Sequence, residues 1–256
     1  MSVLSLQDGI IYGPIDSRRL GKSLGINLLP TGYKLCPFNC VYCHYGWTDK
    51  FWRRSGKENF PGVDEVKDAL KRELEYAREC GLTIDYITFS GNGEPTTHPQ
   101  FVQMVEMVWV LRNGLWSSAR IALLSNSALV GSGHIREAIG RVELPIMKLD
   151  VGSQGLLEKV NQPVRGTDFE EIVSGLAMIP NITVQALFLA GRVDNSTPQA
   201  VADWQGALER IKPKEVQIYT TDRPTAEGGI VAVPDERLEE IALQTAELLG
   251  VEVRVY

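Results

Sequence analysis

Three of the four cysteines, Cys36, Cys40 and Cys43, lie within eight residues at C-x-x-x-C-x-x-C spacing. Thiolates this close together suit one iron-sulfur cluster: they hold three irons of a [4Fe-4S] unit and leave the fourth open to a ligand that is not protein. An open iron points to chemistry beyond electron storage. Other readings compete for the same residues. Cys40-Val41-Tyr42-Cys43-His44 spells the c-type haem attachment pattern, which belongs to exported proteins and gives Cys36 no role. A structural zinc site would take His44 as fourth ligand, although such sites usually pair two separated knuckles. A disulfide is the third alternative.

A second stretch with chemical content is Gly91-Asn92-Gly93-Glu94-Pro95, at the end of the apolar run Ile84 to Ser90. Paired glycines after a strand let backbone approach a ligand closely, and Glu94 can accept hydrogen bonds from an ammonium group. Alone, such a pair is only a tight turn. Further polar residues close other apolar runs: Ser125-Asn126, Lys148 and Asp150, and Asp222-Arg223, while Gln185 is set inside one.

The elements that must position these groups are read from periodicity. Strands are expected over Leu24–Leu29, Ile84–Ser90, Arg120–Ser125, Pro145–Asp150, Asn181–Leu189 and Val216–Thr220, with a terminal one over Val251–Tyr256. Helices are expected over Pro61–Gly81, from near His98-Pro99, over His134–Val142 and over Asp235–Gly250. On the first, Val66, Leu70, Leu74 and Ala77 form an apolar stripe that Cys80 continues, so Cys80 is expected as a buried core thiol. His98, before Pro99, is expected to cap or pack. Strand-helix alternation argues for an α/β protein, a parallel sheet with helices outside it, closed into a partial (β/α)6 barrel. In such folds ligands bind at the C-terminal ends of the strands, which is where the polar groups above fall.

With 256 residues, 44% of them hydrophobic, the chain fits a single domain: an N-terminal extension over 1–23, a core barrel over 24–225 and a C-terminal helix and strand over 226–256. The N-terminal run lacks the basic start of a signal peptide, and runs such as Val108–Leu111 are too short to span a bilayer. The expected place is the cytoplasm, where thiols stay reduced and clustered cysteines favour metals over disulfides. A net charge of −6 provides no global attraction to nucleic acid or to anionic membranes.

The cysteine spacing with Tyr42 before the third cysteine resembles the radical S-adenosylmethionine (radical SAM) superfamily. The run Tyr12-Gly13-Pro14-Ile15-Asp16-Ser17-Arg18-Arg19-Leu20-Gly21, continuing through Gly25 to Pro30, resembles its branch of wyosine tRNA-modifying (TYW-like) enzymes. The resemblance implies a partial barrel carrying a [4Fe-4S] cluster on Cys36, Cys40 and Cys43. It further implies S-adenosylmethionine (SAM) on the open iron, reductive cleavage to a 5′-deoxyadenosyl radical, and an external electron donor such as flavodoxin or ferredoxin. Gly91, Asn92, Gly93 and Glu94 match its G-G-E-P type motif, with Asn92 inserted, which in relatives meets the methionyl amino group. Tyr42, Ser125, Asn126, Lys148, Asp150, Gln185 and Arg223 would complete the SAM contacts, and the catalytic residues proper stay unassigned. Asn161-Gln162-Pro163 resembles a further signature in which relatives often show arginine at the middle position.

The substrate is open. Archaeal wyosine-forming relatives carry cysteines for a second cluster, and only Cys80 is spare here. The candidates are tRNA modification, activation of a partner protein by glycyl-radical formation, or a small molecule. A non-catalytic iron-sulfur carrier or sensor is the rival from a different class, and it would need no SAM pocket. The loop His44 to Lys57 mixes aromatics with Arg53, Arg54 and Lys57, which suits either a lid over the site or an RNA-stacking platform, and the lid is preferred.

Overall fold

The computed structural model describes residues 4–53 and 58–256. In chain order the elements begin with β1 (Ile11–Ser17), β2 (Gly21–Ile26), β3 (Leu35–Cys36), β4 (Lys50–Phe51), α1 (Val63–Glu79) and β5 (Tyr86–Phe89). After a 3-10 turn, Pro95–Thr97, come α2 (Phe101–Leu115), β6 (Arg120–Ser125), α3 (Gly133–Ile139), β7 (Leu144–Lys148), α4 (Gln154–Val160) and α5 (Phe169–Ala177). The chain continues with β8 (Thr183–Leu187), β9 (Leu189–Gly191), α6 (Pro198–Ile211), β10 (Glu215–Tyr219), β11 (Ile230–Ala232), α7 (Asp235–Leu249) and β12 (Glu252–Val255).

Eight strands form one open sheet in the order β1-β2-β5-β6-β7-β8-β10-β12. Every pairing from β2 to β12 is parallel, and β1 closes one edge as the antiparallel arm of a hairpin with β2. This is the expected α/β partial barrel, with one strand more at each end than the six-unit count. The terminal strand joins in parallel with β10, and the segment 1–23 contributes β1 to the sheet. Strand β2 ends at Ile26, three residues before the sequence reading, because the Asn27 side chain bonds the amide and carbonyl of Leu29 and turns the chain out of the sheet.

Central strands read as continuous apolar runs because both faces are covered. Helix α1 buries Val66, Leu70, Leu74 and Ala77 as the periodicity requires, with Asp64 and Glu65 in its first turn. Cys80 corrects the expectation made for it. The helix stops at Glu79, the chain turns at Cys80 and Gly81, and the thiol is exposed beside Tyr76 instead of buried. Helices α4, α5 and α6 were not read from the sequence; their ends are set by local caps, as where Asp168 accepts the amides of Glu170 and Glu171. Helix α6 also reaches the strand ends: Trp204, fully buried against Phe188, donates its indole N–H to the Leu149 carbonyl at 2.8 Å. No helix among the described residues is long and apolar enough to cross a membrane.

Candidate active site

The chain leaves β2 at the C-terminal edge of the sheet, and the cysteine segment that follows is fastened on two sides. On one, Leu35 forms a parallel bridge with Gly93, its amide donating to the Asn92 carbonyl at 3.0 Å. On the other, the Asn39 amide donates to the Asn161 carbonyl at 2.9 Å, Val41 to Val160 at 3.0 Å, and Val164 back to Pro37 at 2.8 Å. Two side-chain amides donate to cysteine sulfurs, Asn126 Nδ2 to Cys36 Sγ at 3.3 Å and Asn161 Nδ2 to Cys40 Sγ at 3.4 Å. Lys34 is 3% exposed, and its Nζ donates to the Gly46 carbonyl at 2.7 Å. Burial alone would depress its pKa, but the adjoining Cys43, Cys36 and Cys40 raise it, so Lys34 supplies a fixed positive charge at the thiols.

The glycine turn needs its glycines. Gly91 and Gly93 sit at φ 134° and 144°, and a Cβ on Gly93 would fall 1.8 Å from the Leu35 carbonyl oxygen. That close approach brings β3 against the turn and Cys36 toward Glu94. Glu94 is 1% exposed and highly engaged. Its Oε1 accepts the Thr96 hydroxyl at 2.6 Å, the Thr96 amide at 3.1 Å and the Ser125 hydroxyl at 2.9 Å, while Oε2 accepts the Asn126 amide at 2.6 Å. Burial raises its pKa and these donors work in the opposite direction. Glu94 therefore ties the end of β5 to the end of β6.

At the end of β7, Asp150 is 2% exposed. Its Oδ2 accepts the Tyr42 hydroxyl, and also Asn161 Nδ2 at 2.7 Å; its Oδ1 accepts the Leu187 amide at 2.8 Å and lies 3.4 Å from Lys148 Nζ. Lys148 donates to the Tyr219 hydroxyl at 2.7 Å and stands over the rings of Tyr42 and Tyr219. Desolvation would lower the Lys148 pKa, but Asp150 and Tyr219 outweigh it and keep the ammonium charged. Burial, reinforced by Asp150, holds the Tyr42 hydroxyl protonated.

These groups surround a cavity of about 180 Å³. It is lined by all three cysteines and by Tyr42, Gly91, Gly93, Glu94, Ser125, Asn126, Lys148 and Gln185 from the expected set. Three expected contacts do not reach it. Asn92 is fully buried with its side chain turned the other way, onto Gln7 and the Pro30 carbonyl. Asp150 does not line it but holds Tyr42 and Lys148, which do. Arg223 points outward in an ion pair with Asp222 at 3.8 Å, both about half exposed. Lys34 and Tyr45 line the cavity without having been expected to. Nothing in the sequence marks Lys34 except its place before the first cysteine. His98 is structural, bonding the Pro61 carbonyl and the Gln100 amide.

The donor set fits an iron-sulfur cluster better than the alternatives. All four cysteines are free. The three thiols line one cavity, and His44 is not among its lining residues. Burial pushes the Cys36 thiol well up and Cys40 to about 11, so a bound cation must displace their protons. Lys34 and the two amide donors then meet the resulting negative charge. Arg54 and Lys57 of the aromatic-basic loop lie outside the described residues. Of its remainder, β4 pairs with β3, and the Trp52 amide donates to the Cys36 carbonyl at 3.0 Å.

Compared with known families, the chain matches the radical SAM superfamily over residues 32–189. It is 29% identical over 234 residues to GTPase Obg of Brachyspira hyodysenteriae, a match covering 90% of this chain and 32% of that protein. To a UPF0026 protein of Synechocystis sp. it is 31% identical over 222 residues, covering 84% of this chain and 76% of that one. The chain thus spans about a third of the length of the first relative. Among solved structures it is similar to a radical SAM methyltransferase from Sphaerobacter thermophilus (TM-score 0.67, 16% identity, 91% of this chain and 65% of that one). It is also similar to TYW1 with a lysine-pyruvate adduct bound (TM-score 0.61, 13% identity, 88% and 73%). The third is Streptococcus suis SuiB bound to S-adenosylmethionine (TM-score 0.61, 12% identity, 91% and 50%). At these identities the structural likeness is one of fold.

Proposed function

Because the chain belongs to the radical SAM superfamily, whose enzymes use a [4Fe-4S] cluster and SAM, we propose that Cys36, Cys40 and Cys43 hold that cluster and that the adjoining cavity receives SAM. A cluster held by Cys36, Cys40 and Cys43 would supply the electron for reductive cleavage of SAM bound in that cavity, the chemistry that yields a hydrogen-abstracting 5′-deoxyadenosyl radical. The observation that carries this reading is the shared cavity: three thiols on one wall, Glu94, Ser125 and Asn126 on another.

The residues divide the work. Asn126 and Asn161 donate to sulfur and Lys34 places a positive charge beside it, which together favour the reduced, more negative state of a thiolate-held cluster. Glu94 presents its carboxylate at the cavity wall to an ammonium, and Lys148 presents an ammonium to a carboxylate. Asp150 and Asn161 fix the Tyr42 hydroxyl, and with it the ring that lines the cavity beside the cysteines. The electron comes from an external donor such as flavodoxin or ferredoxin. Anaerobic reconstitution followed by reduction with dithionite in the presence of SAM is expected to yield 5′-deoxyadenosine, detected by mass spectrometry. A cluster-loaded protein that leaves SAM intact under those conditions is a carrier or sensor, not an enzyme.

The loop after Cys43 is read as a lid because its backbone returns to the cysteine strand at Trp52. SAM binding should therefore change tryptophan fluorescence through Trp47 or Trp52, and tRNA should not bind. The competing platform reading rests on exposed Trp47 and Phe51 beside Arg53. Filter binding of tRNA with an affinity that drops steeply as salt rises would favour that platform, and with it a tRNA substrate.

A further inference from the structure

Beside the cavity stands a group of cations that SAM recognition does not employ. Arg19, between β1 and β2, lays its guanidinium over the rings of Tyr219 and Tyr256, 4.3 and 5.0 Å from their centroids. Tyr219 is also the ring that Lys148 approaches, so Arg19 lies one aromatic ring from the cavity. The Arg19 Nε is buried with no hydrogen-bond partner. Its nearest acid is already shared: Asp222 pairs with Arg18 at 3.1 Å and with Arg223 at 3.8 Å.

An orphaned, buried guanidinium nitrogen is costly to leave unmatched. The hairpin between β1 and β2 belongs to one edge of the sheet, whereas Tyr219 and Tyr256 belong to the other. The ion pair Arg18–Asp222 and the Arg19 stack thus join the two edges across the open side of the barrel.

Resting on the reading of the cavity as the SAM site, we propose that Arg19 binds an oxyanion of the substrate, a phosphate or a carboxylate, and so holds its reacting carbon toward the cavity. Arg19 suits that role because its planar fork, stacked between two tyrosines, is already ordered before the anion arrives. Lys148, on the far side of Tyr219, remains for SAM.

The test is calorimetric titration of reconstituted, SAM-saturated protein at low ionic strength, with inorganic phosphate and malonate as separate probes. At least one should bind, and the one that does identifies the chemistry. Arg19→Gln should weaken it by about tenfold or more, as expected for loss of a charge-assisted bond. Arg19→Lys should recover part of the affinity, and Arg18→Gln, an exposed charge on the same hairpin, should weaken it by less than about fivefold. A measurement independent of variants is phenylglyoxal labelling of the wild type, in which the probe should protect Arg19 more than Arg18. Binding of neither probe, equal binding by wild type and Arg19→Gln, displacement of the probe by SAM, or equal protection of both arginines would each overturn the proposal. Iron content, measured on every sample, keeps the two readings apart: iron-loaded protein that ignores both anions refutes only the anion site, whereas wild type that takes up no iron refutes the cluster.

Discussion

Alanine in place of Cys36, Cys40 or Cys43 is expected to abolish cluster binding altogether. Anaerobically reconstituted wild-type protein should hold about four irons per chain, and each of the three variants should lose the cluster absorbance and the ability to cleave SAM. The effect should be all-or-none because each thiolate would hold a different iron of the proposed cluster, and the fourth cysteine, Cys80, lies outside the cavity. Cys80→Ala should retain full iron content, since that thiol is exposed at the end of α1 and lines none of the cavity. Iron loss in the Cys80 variant would show that a fourth thiol takes part. The three cluster variants should remain folded, because the loop is fastened by backbone bonds that do not involve sulfur.

Glu94→Gln is expected to lower SAM affinity by roughly ten- to a hundredfold while leaving iron content unchanged, from the ~1.5–3 kcal/mol typical of hydrogen bonds to charged groups. The structure adds a complication to that substitution. Both carboxylate oxygens already accept protein donors, Oε1 from Thr96 and Ser125 and Oε2 from the Asn126 amide, so a glutamine NH2 would face a donor in either orientation. Ser125→Ala separates the two roles, because it removes one donor to Oε1 and no charge. If Glu94 meets the SAM ammonium, Ser125→Ala should weaken SAM binding less than Glu94→Gln does, since it removes one donor to the carboxylate and leaves the charge. Equal losses in the two variants, measured by SAM titration with cluster absorbance as control, would make Glu94 a brace between β5 and β6 and nothing more.

The frame and much of the cavity wall were legible in the sequence because they rest on local signals. Three cysteines in one loop, glycines whose Cβ atoms would strike Asn27 and Leu35, and polar residues at the ends of apolar runs need no tertiary information to be noticed. What could not be read depends on where a side chain turns after it leaves the backbone. Asn92 sits inside the glycine motif yet faces Gln7 and Pro30, and Asp150 sits at a strand end yet holds Tyr42 without lining the cavity itself. Lys34 and Arg19 look like ordinary surface cations in sequence. One is buried against thiols and the other is stacked on rings contributed by residues 219 and 256, contacts that no local pattern encodes. Cys80 failed for the opposite reason: its periodicity was sound, but the helix ended one residue earlier.

The fastening of the cysteine loop to residues 160–164 bears on how the protein is matured. During synthesis the three thiols leave the ribosome well before Val160, Asn161 and Val164, and N-terminal segments are free to move until their distant partners arrive. Until then the thiols have no common wall and nothing to distinguish them from any reduced cysteines. Once α4 has docked, the loop is held by main-chain bonds, with Asn161 and Asn126 already aimed at sulfur. A cluster held by these thiols would therefore find its loop and both amide donors in place only after residues 160–164 have docked.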